Sequence, residues 1–367
     1  MPYIFFVLAI LLAFLLVVVC IPSIIKVSAK KHLFDSMDKR TIHKQLIPSL
    51  GGIAIFIGFI ISTIVSTDGY SFDELKYIIA AIILVFFIGL KDDLIIVSNR
   101  KKFVIQIFAA LLLIFLANVR LTDFHGFLGF HAVNYFISFL ATLFLIILTI
   151  NAYNLIDGVD GLASGLAIMA AFTFGICFVW AGEYEYAVMA FALVGSLMGF
   201  FIFNVFGTTN KIFMGDAGSL VIGLAMSAIL IRFNRIDESL NLPAYLQNAP
   251  AVSFAIVLVP LVDTLRVFAI RIRNRKSPFT PDINHVHHRL LQLFGNHSKV
   301  TFTIVFVNGI FVLISIALNY LSINVNLQFL ILIVLALIVS YILVILIRYR
   351  KKHQIKIPSF ADSKSRR

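Results

Sequence analysis

The sequence predicts an all-α, polytopic integral membrane protein of about 11 transmembrane helices, with the N-terminus outside and the C-terminus cytoplasmic. Three observations carry this. Of 367 residues, 60% are apolar and 13% charged, a balance too apolar for a soluble multidomain chain. The apolar residues form continuous runs instead of alternating, which selects helices over a barrel, because a helix satisfies its own backbone hydrogen bonds in lipid. Finally, the basic residues gather on one side of the resulting stack, the bias expected of cytoplasmic loops.

The runs approach the roughly 20 residues that cross about 30 Å of hydrocarbon. In order they are residues 4–21, 51–66, 77–90, 103–119, 132–150, 162–181, 186–206, 217–231, 251–270, 300–318 and 327–347. The first follows the uncharged Met1-Pro2-Tyr3 and precedes Lys26, Lys30 and Lys31, so it reads as a retained span and not a cleaved signal peptide. Runs 77–90 and 217–231 are short enough to be re-entrant instead of spanning. Connections 26–50, 91–102, 207–216 and 271–299, with the tail after 347, hold 25 of the thirty Lys and Arg. Lys76, Arg120, Arg232 and Arg235 fall on the opposite side, and Arg266 falls within a span. The net charge of +12 is therefore mainly a topological signal, with attraction for anionic headgroups or substrates second, and no nucleic acid partner is needed to explain it.

No internal repeat or soluble domain interrupts the stack. Residues 1–347 form one membrane-embedded domain and 348–367 a basic cytoplasmic tail. Cys20 and Cys177 both lie inside apolar runs, which excludes a disulfide framework or a cysteine metal site.

Chemistry-bearing residues collect in the cytoplasmic connections. Asp92 and Asp93 stand together in Lys91-Asp-Asp-Leu; alone, such a pair is more often a solvated flank than a site. Between the fifth and sixth runs comes Asn151-Ala-Tyr-Asn154-Leu-Ile-Asp157-Gly-Val-Asp160-Gly161. If Asp157 begins the sixth helix, Asp157 and Asp160 share a face, and Gly158 and Gly161 admit a ligand to the backbone. A capping role accounts for one acid, but not for the second acid and both amides. After the seventh run, Asn204 precedes Lys211-Ile-Phe213-Met-Gly215-Asp216-Ala-Gly218-Ser219. There Asp216 is either the cap of the eighth helix or a carboxylate pressed against a bulky ligand, with Phe213 as a stacking surface.

The ninth connection carries Ser277-Pro278-Phe-Thr-Pro281-Asp282-Ile-Asn-His285-Val-His287-His288-Arg289, three of the nine histidines within four positions. Zinc would require converging ring nitrogens, and adjacent His287 and His288 point differently on a helix. Anion binding or proton transfer fits the basic surroundings better. Asp263 and Arg266, three apart inside the ninth run, either neutralise each other or serve function, since charge is expensive in lipid. The first connection adds His43, Lys44, Pro48, Gly51 and Gly52. Two carboxylates at about 4 Å repel by roughly 4 kcal/mol at an effective dielectric near 20. Converging acids therefore need a cation, and oxygen ligands without cysteine point to a hard divalent ion, Mg2+, shared with substrate phosphates. That implies phosphoryl chemistry at the cytoplasmic membrane surface.

These motifs resemble those of the polyprenyl-phosphate N-acetylhexosamine-1-phosphate transferases. The resemblance rests on His43 through Pro48-Ser-Leu-Gly-Gly52, Lys91-Asp-Asp-Leu, Asn154-Leu-Ile-Asp-Gly-Val-Asp-Gly-Leu162, Phe213-Met-Gly-Asp-Ala-Gly-Ser219, Ser277-Pro-Phe-Thr-Pro-Asp282 and His285-Val-His-His-Arg-Leu290. The histidine pattern is similar to that of the bacterial undecaprenyl-phosphate N-acetylglucosamine-1-phosphate transferases. The ten-span branch acting on UDP-N-acetylmuramoyl-pentapeptide shares the acidic motifs but carries a different histidine motif.

The resemblance implies transfer of a sugar 1-phosphate from a UDP-N-acetylhexosamine to a polyprenyl phosphate at the inner face of the plasma membrane. It further implies release of UMP, a need for Mg2+ with Mn2+ as substitute, and an open possibility of homodimers. Carried onto this sequence, it makes Asp216 a metal ligand, with Asp92 or Asp93 deprotonating the lipid phosphate or helping to hold the ion. Asp157 and Asp160 would line the nucleotide and diphosphate pocket as catalytic residues, with Asn154 and Lys211 contacting substrate and Phe213 beside the uracil. His287 and His288 would act on the sugar diphosphate, and His43, Lys44, Arg271 and His285 would bind substrate. Residues 204–213 lack the Pro-Ala often found before the Phe-Met-Gly-Asp motif, so no nucleotide contact is carried to Asn204. A secondary transporter of an anionic solute is the alternative of another class. Transporters place charge near mid-membrane and show inverted repeats, whereas here only Asp263 and Arg266 lie deep.

Overall fold

The computed structural model describes residues 3–31, 33, 47–67, 73–236, 249–275 and 285–352. The expected contacts at His43 and Lys44, the stretch from Ser277 to Asp282 and the tail beyond Lys352 lie outside the described residues. The chain forms α1 (Tyr3–Lys31), α2 (Gly51–Ser66), α3 (Leu75–Leu94), α4 (Asn99–Phe115), α5 (Tyr135–Ile156), α6 (Leu162–Ala181) and α7 (Tyr184–Phe201). Then follow α8 (Gly215–Phe233), α9 (Ala249–Ile256), α10 (Leu258–Arg273), α11 (Val286–Phe294), α12 (His297–Tyr320) and α13 (Val325–Lys352). No strand occurs among the described residues, only an isolated antiparallel bridge between Asp123 and Ala132. The all-helical, polytopic expectation holds.

The described helices meet the expected number of crossings only in part. Seven helices are long and apolar enough to span a bilayer, and α9 with α10 makes an eighth if a 78° bend is allowed within one span. Each expected run contains a helix, but α2 and α4 have 16 and 17 residues, about 24–26 Å at 1.5 Å per residue, short of the hydrocarbon thickness. α3 carries Lys76, Lys91, Asp92 and Asp93 within its length. By contrast α8, the other run short enough to be re-entrant, is the most enclosed of the seven.

Burial explains the arrangement. α8 is apolar on nearly every face and lies at the centre, packed by α2, α3, α5 and α6. α1 is peripheral: Phe6, Ala9, Ala13, Val17 and Ile21 face α2 and α7, while Val7, Leu11, Leu15 and Val19 remain exposed, the stripe a lipid-facing helix presents. The bend at Val257 is satisfied by α12, where buried Asn308 accepts from the Val259 N–H at 3.1 Å and donates to the Ile256 carbonyl at 2.9 Å. Both backbone groups would otherwise be orphaned in an apolar interior.

α2 and α3 reach α8 by glycine. A Cβ on Gly52 would lie 2.1 Å from the Gly218 nitrogen, and one on Gly89 2.6 Å from the Ala217 Cα. Gly52→Ala must therefore push α2 off the first turn of α8, against backbone that cannot rotate away. The expected cost is about 2–3 kcal/mol, read as a lowered melting temperature of the detergent-purified protein together with lost activity; an unchanged melt would show that the helices separate freely.

Candidate active site

The ends of α3, α5 and α7 and the beginnings of α4, α6, α8 and α12 meet at one end of the bundle, around a cavity of about 450 Å3. Local sequence sets each end. α7 runs into a π-helical turn at Ile202–Phe206, which carries Asn204 inward. Asn204 accepts from the Gly161 N–H at 2.6 Å and donates to the Ile212 carbonyl at 2.9 Å, clamping the two acidic connections together. The segment before α8 pairs with the one before α2: Phe213 N–H donates to Pro48, Gly51 N–H to Phe213 and Gly52 N–H to Met214. Gly215 sits at φ +72, where a side chain is strained and a Cβ would meet the Ser49 carbonyl at 2.1 Å.

Asp216 is the hub. Its Oδ2 accepts from Lys102 Nζ at 2.6 Å and its Oδ1 from Asn154 Nδ2 at 3.0 Å. Lys102 also donates to Asp92 Oδ2 at 2.9 Å, and Asn154 to Ser219 Oγ at 2.9 Å. Asp92 is further held by the Val97 N–H at 2.6 Å. Burial alone would push the Lys102 ammonium down, but Asp216 and Asp92 outweigh it and hold it above the usual lysine range. Burial likewise raises Asp92, yet the hydrogen bonds from Lys102 and the Val97 N–H, with the Lys102 charge, leave it below the ordinary carboxylate value.

Asp93 does something different from its neighbour. Its two oxygens accept from the backbone N–H groups of Asp216 at 2.7 Å and Ala217 at 3.0 Å, capping α8 from another helix. Burial, with the charges of Asp216 and Asp92, still pushes it up to about 7. With both oxygens engaged, Asp93 braces the first turn of α8 around Asp216.

Asp157 and Asp160 do not share a helical face as expected. α5 ends at Ile156 with Asp157 as its C-cap, and α6 begins only at Leu162, after Gly161 turns at φ +75. The five-residue turn achieves the convergence by another route, for both acids line the cavity. Asp160 Oδ2 pairs with Lys211 Nζ at 2.6 Å, and Lys211 lies 5.7 Å from the Phe213 ring centre. Asp157 receives no hydrogen bond among the described residues. Burial, then Asp216, Asp160 and Asp93, drive its carboxyl well above the ordinary range.

The cavity thus carries two acids without a cationic partner among the described residues, Asp93 and Asp157, and two others, Asp92 and Asp216, bridged by a single ammonium, an oxygen donor set that fits a hard divalent ion.

The histidines lie elsewhere than expected. His285 and His287 are buried, 3% and 1% exposed, and neither lines the cavity. His285 Nδ1 and the Val286 N–H bond to Asp263, which also accepts from Arg266 Nη2 at 2.8 Å. The Asp263 and Arg266 pair is therefore a buried brace joining α10 to α11. Asp263, His285 and His287 bring ligand atoms within 4.8 Å of one another. However, the carboxylate is already shared among three donors, which weakens the case for a metal there. His287 backs onto Gly158, where a Cβ would meet its Nε2 at 2.9 Å. Burial, then His288, pull its basicity down to about 3, so it is a neutral imidazole and not a cationic anion binder. Arg271 is buried at 3% exposure, its guanidinium 5.9 Å from the Phe268 ring. Two residues at the site carry no motif in the sequence, Lys102, which pairs with cavity acids, and His297, which lines the cavity. Lys102 was counted only as a topological charge, and His297, beyond the histidine motif, carried no signal.

The sequence profile of glycosyl transferase family 4 matches residues 75–234, which hold every cavity acid. The chain is similar to the undecaprenyl-phosphate alpha-N-acetylglucosaminyl 1-phosphate transferase of Escherichia coli K12, 30% identical over 283 residues, covering 76% of this chain and 74% of the relative. The Yersinia pestis protein of the same name is 29% identical, over 76% of this chain and 75% of its own. A probable undecaprenyl-phosphate N-acetylglucosaminyl 1-phosphate transferase of Bacillus subtilis is 28% identical over 315 residues, 85% of this chain and 84% of the relative.

Proposed function

The chain belongs to glycosyl transferase family 4, and from that premise we propose that it transfers N-acetylglucosamine 1-phosphate from UDP-N-acetylglucosamine to undecaprenyl phosphate, releasing UMP. The observation that carries this reading is the cavity lined by Asp92, Asp157, Asp160 and Asp216, with Lys102 and Lys211 paired to these acids, at one end of an apolar bundle. A polyprenyl acceptor cannot leave the bilayer and a nucleotide sugar cannot enter it, so only such an end lets them meet.

An Mg2+ ion would be held by Asp216 and Asp92, in the cavity that Asp157 also lines, and would supply neutralisation of phosphate charge. This chain's residues do the rest. A phosphate monoester has its second ionisation near pH 6, so the acceptor is already mostly dianionic at about pH 7 and needs positioning more than a strong base. Attack by its oxygen on the phosphorus bearing the sugar forms the new P–O bond and expels UMP. Lys102 is placed to offset charge on the transferring group, while Lys211 and Phe213 border the nucleoside end.

The same proposal puts this end in the cytoplasm, with up to 11 crossings if α3 spans and the bilayer thins around α2 and α4. The distribution of basic residues supports that sidedness. In sealed inside-out vesicles, externally added UDP-N-acetylglucosamine should yield UMP without permeabilisation, and only when lipid phosphate and Mg2+ are both present. Uptake of labelled donor without UMP would favour a transporter, and activity confined to right-side-out vesicles would reverse the orientation.

A further inference from the structure

His297 stands at the first position of α12 and lines the cavity, its side chain 44% exposed. The backbone N–H of Asp160 donates to its Nδ1 at 3.3 Å, an arrangement in which Nε2 carries the ring proton. Asp160 Oδ2, at the same distance from Nδ1, is already engaged by Lys211 at 2.6 Å. No protein group meets Nε2 among the described residues. α12 is tied to the same turn independently, because Thr301 Oγ1 donates to the Asp160 carbonyl at 2.7 Å.

We propose that His297 is a substrate-binding residue whose Nε2–H donates to a neutral oxygen on the nucleoside end of the donor, a ribose hydroxyl or a base carbonyl. Two features select that end. His297 shares Asp160 with Lys211, and Lys211 lies over Phe213, so the three belong to one rim. The single Nε2–H aimed at the cavity suits an uncharged oxygen, whereas Asp216 and Asp92 gather the cationic partner Lys102 in another part of the site. This inference rests on the nucleotide-sugar reading above.

The test titrates UMP and, separately, inorganic pyrophosphate into the purified full-length protein with Mg2+. His297→Ala should weaken UMP about tenfold, the order of one hydrogen bond, while pyrophosphate binding and the KM for lipid phosphate stay within twofold. His297→Gln, whose amide can both accept from Asp160 and donate, should recover most of the UMP affinity. Thr301→Val cuts the other tie between α12 and the turn and serves as the structural control: it should lower the melting temperature and leave UMP binding intact. Equal UMP affinity in wild type and His297→Ala would overturn the proposal. So would equal weakening of pyrophosphate, or a Thr301→Val protein that reproduces the loss. Should the wild type itself bind no UMP, the nucleotide reading fails first, which separates the two.

Discussion

Asp216→Asn is expected to lower UMP release by about a thousandfold or more, the upper scale for deleting one electrostatic stabiliser at a phosphoryl centre. The side chain joins the most elements of the site: Lys102 from α4 and Asn154 from α5 both donate to it, and Asp93 from α3 holds its backbone N–H. Asparagine keeps the shape and one acceptor oxygen but removes the charge that balances Lys102 and would hold a divalent ion. The fold should tolerate this. Asp93 still caps α8, and an acid in the first turn of a helix contributes only about 0.3–1 kcal/mol through the helix dipole. The measurement pairs turnover with a thermal melt of the purified variant. Near-normal turnover in a folded protein would remove Asp216 from the chemistry, whereas a collapsed melt would make it chiefly a structural residue.

Much of the membrane architecture is legible in the sequence because burial in lipid leaves a local mark. All eleven apolar runs contain helix, and α1 even shows its lipid-facing stripe. What sequence could not give depends on partners distant along the chain. The run 251–270 reads as one helix, yet it breaks at Val257 because Asn308, about fifty residues later, satisfies the freed backbone groups. Pro260, in the first turn of α10, was a visible hint that it cannot be an ordinary helix interior. Glycine spacing marked the turn between α5 and α6, but nothing local says that Asp157 ends one helix instead of beginning the next. Positive φ at Gly161 decides it.

The acidic residues of the site were legible for the same reason that they are informative: carboxylates are costly near lipid, so several on one side of the bundle demand an explanation. Their division of labour was not. Asp92 and Asp93 are adjacent and chemically identical, yet one faces Lys102 and the other caps α8, a distinction made by where α3 ends against α8. The histidine motif failed in the opposite sense. Three imidazoles in a basic segment looked like an anion site, but Asp263 draws His285 inward and His287 packs beneath Gly158. Sequence proximity gave the cluster, and tertiary packing set it behind the cavity wall at Gly158.

Lys102→Met should move two observables in opposite directions. Methionine keeps most of the stem's apolar volume in the first turn of α4 while deleting the ammonium, so insertion and folding should largely survive. Turnover should fall at least a hundredfold, because the one cation linking Asp92 to Asp216 is then missing when charge develops on the transferring phosphoryl. Apparent affinity for the divalent ion should nevertheless rise. Lys102 and a divalent ion address the same two carboxylates, and two unit charges at about 4 Å interact by roughly 4 kcal/mol at an effective dielectric near 20. Removing the competitor frees part of that, and about a tenfold drop in the half-saturating Mg2+ concentration is expected after water refills the site. A magnesium titration of residual UMP release reads both effects at once. Lower turnover with weaker ion affinity would mean that Lys102 organises the metal-binding carboxylates instead of competing for them, whereas unchanged turnover would return it to the topological role that its place in a basic run first implied.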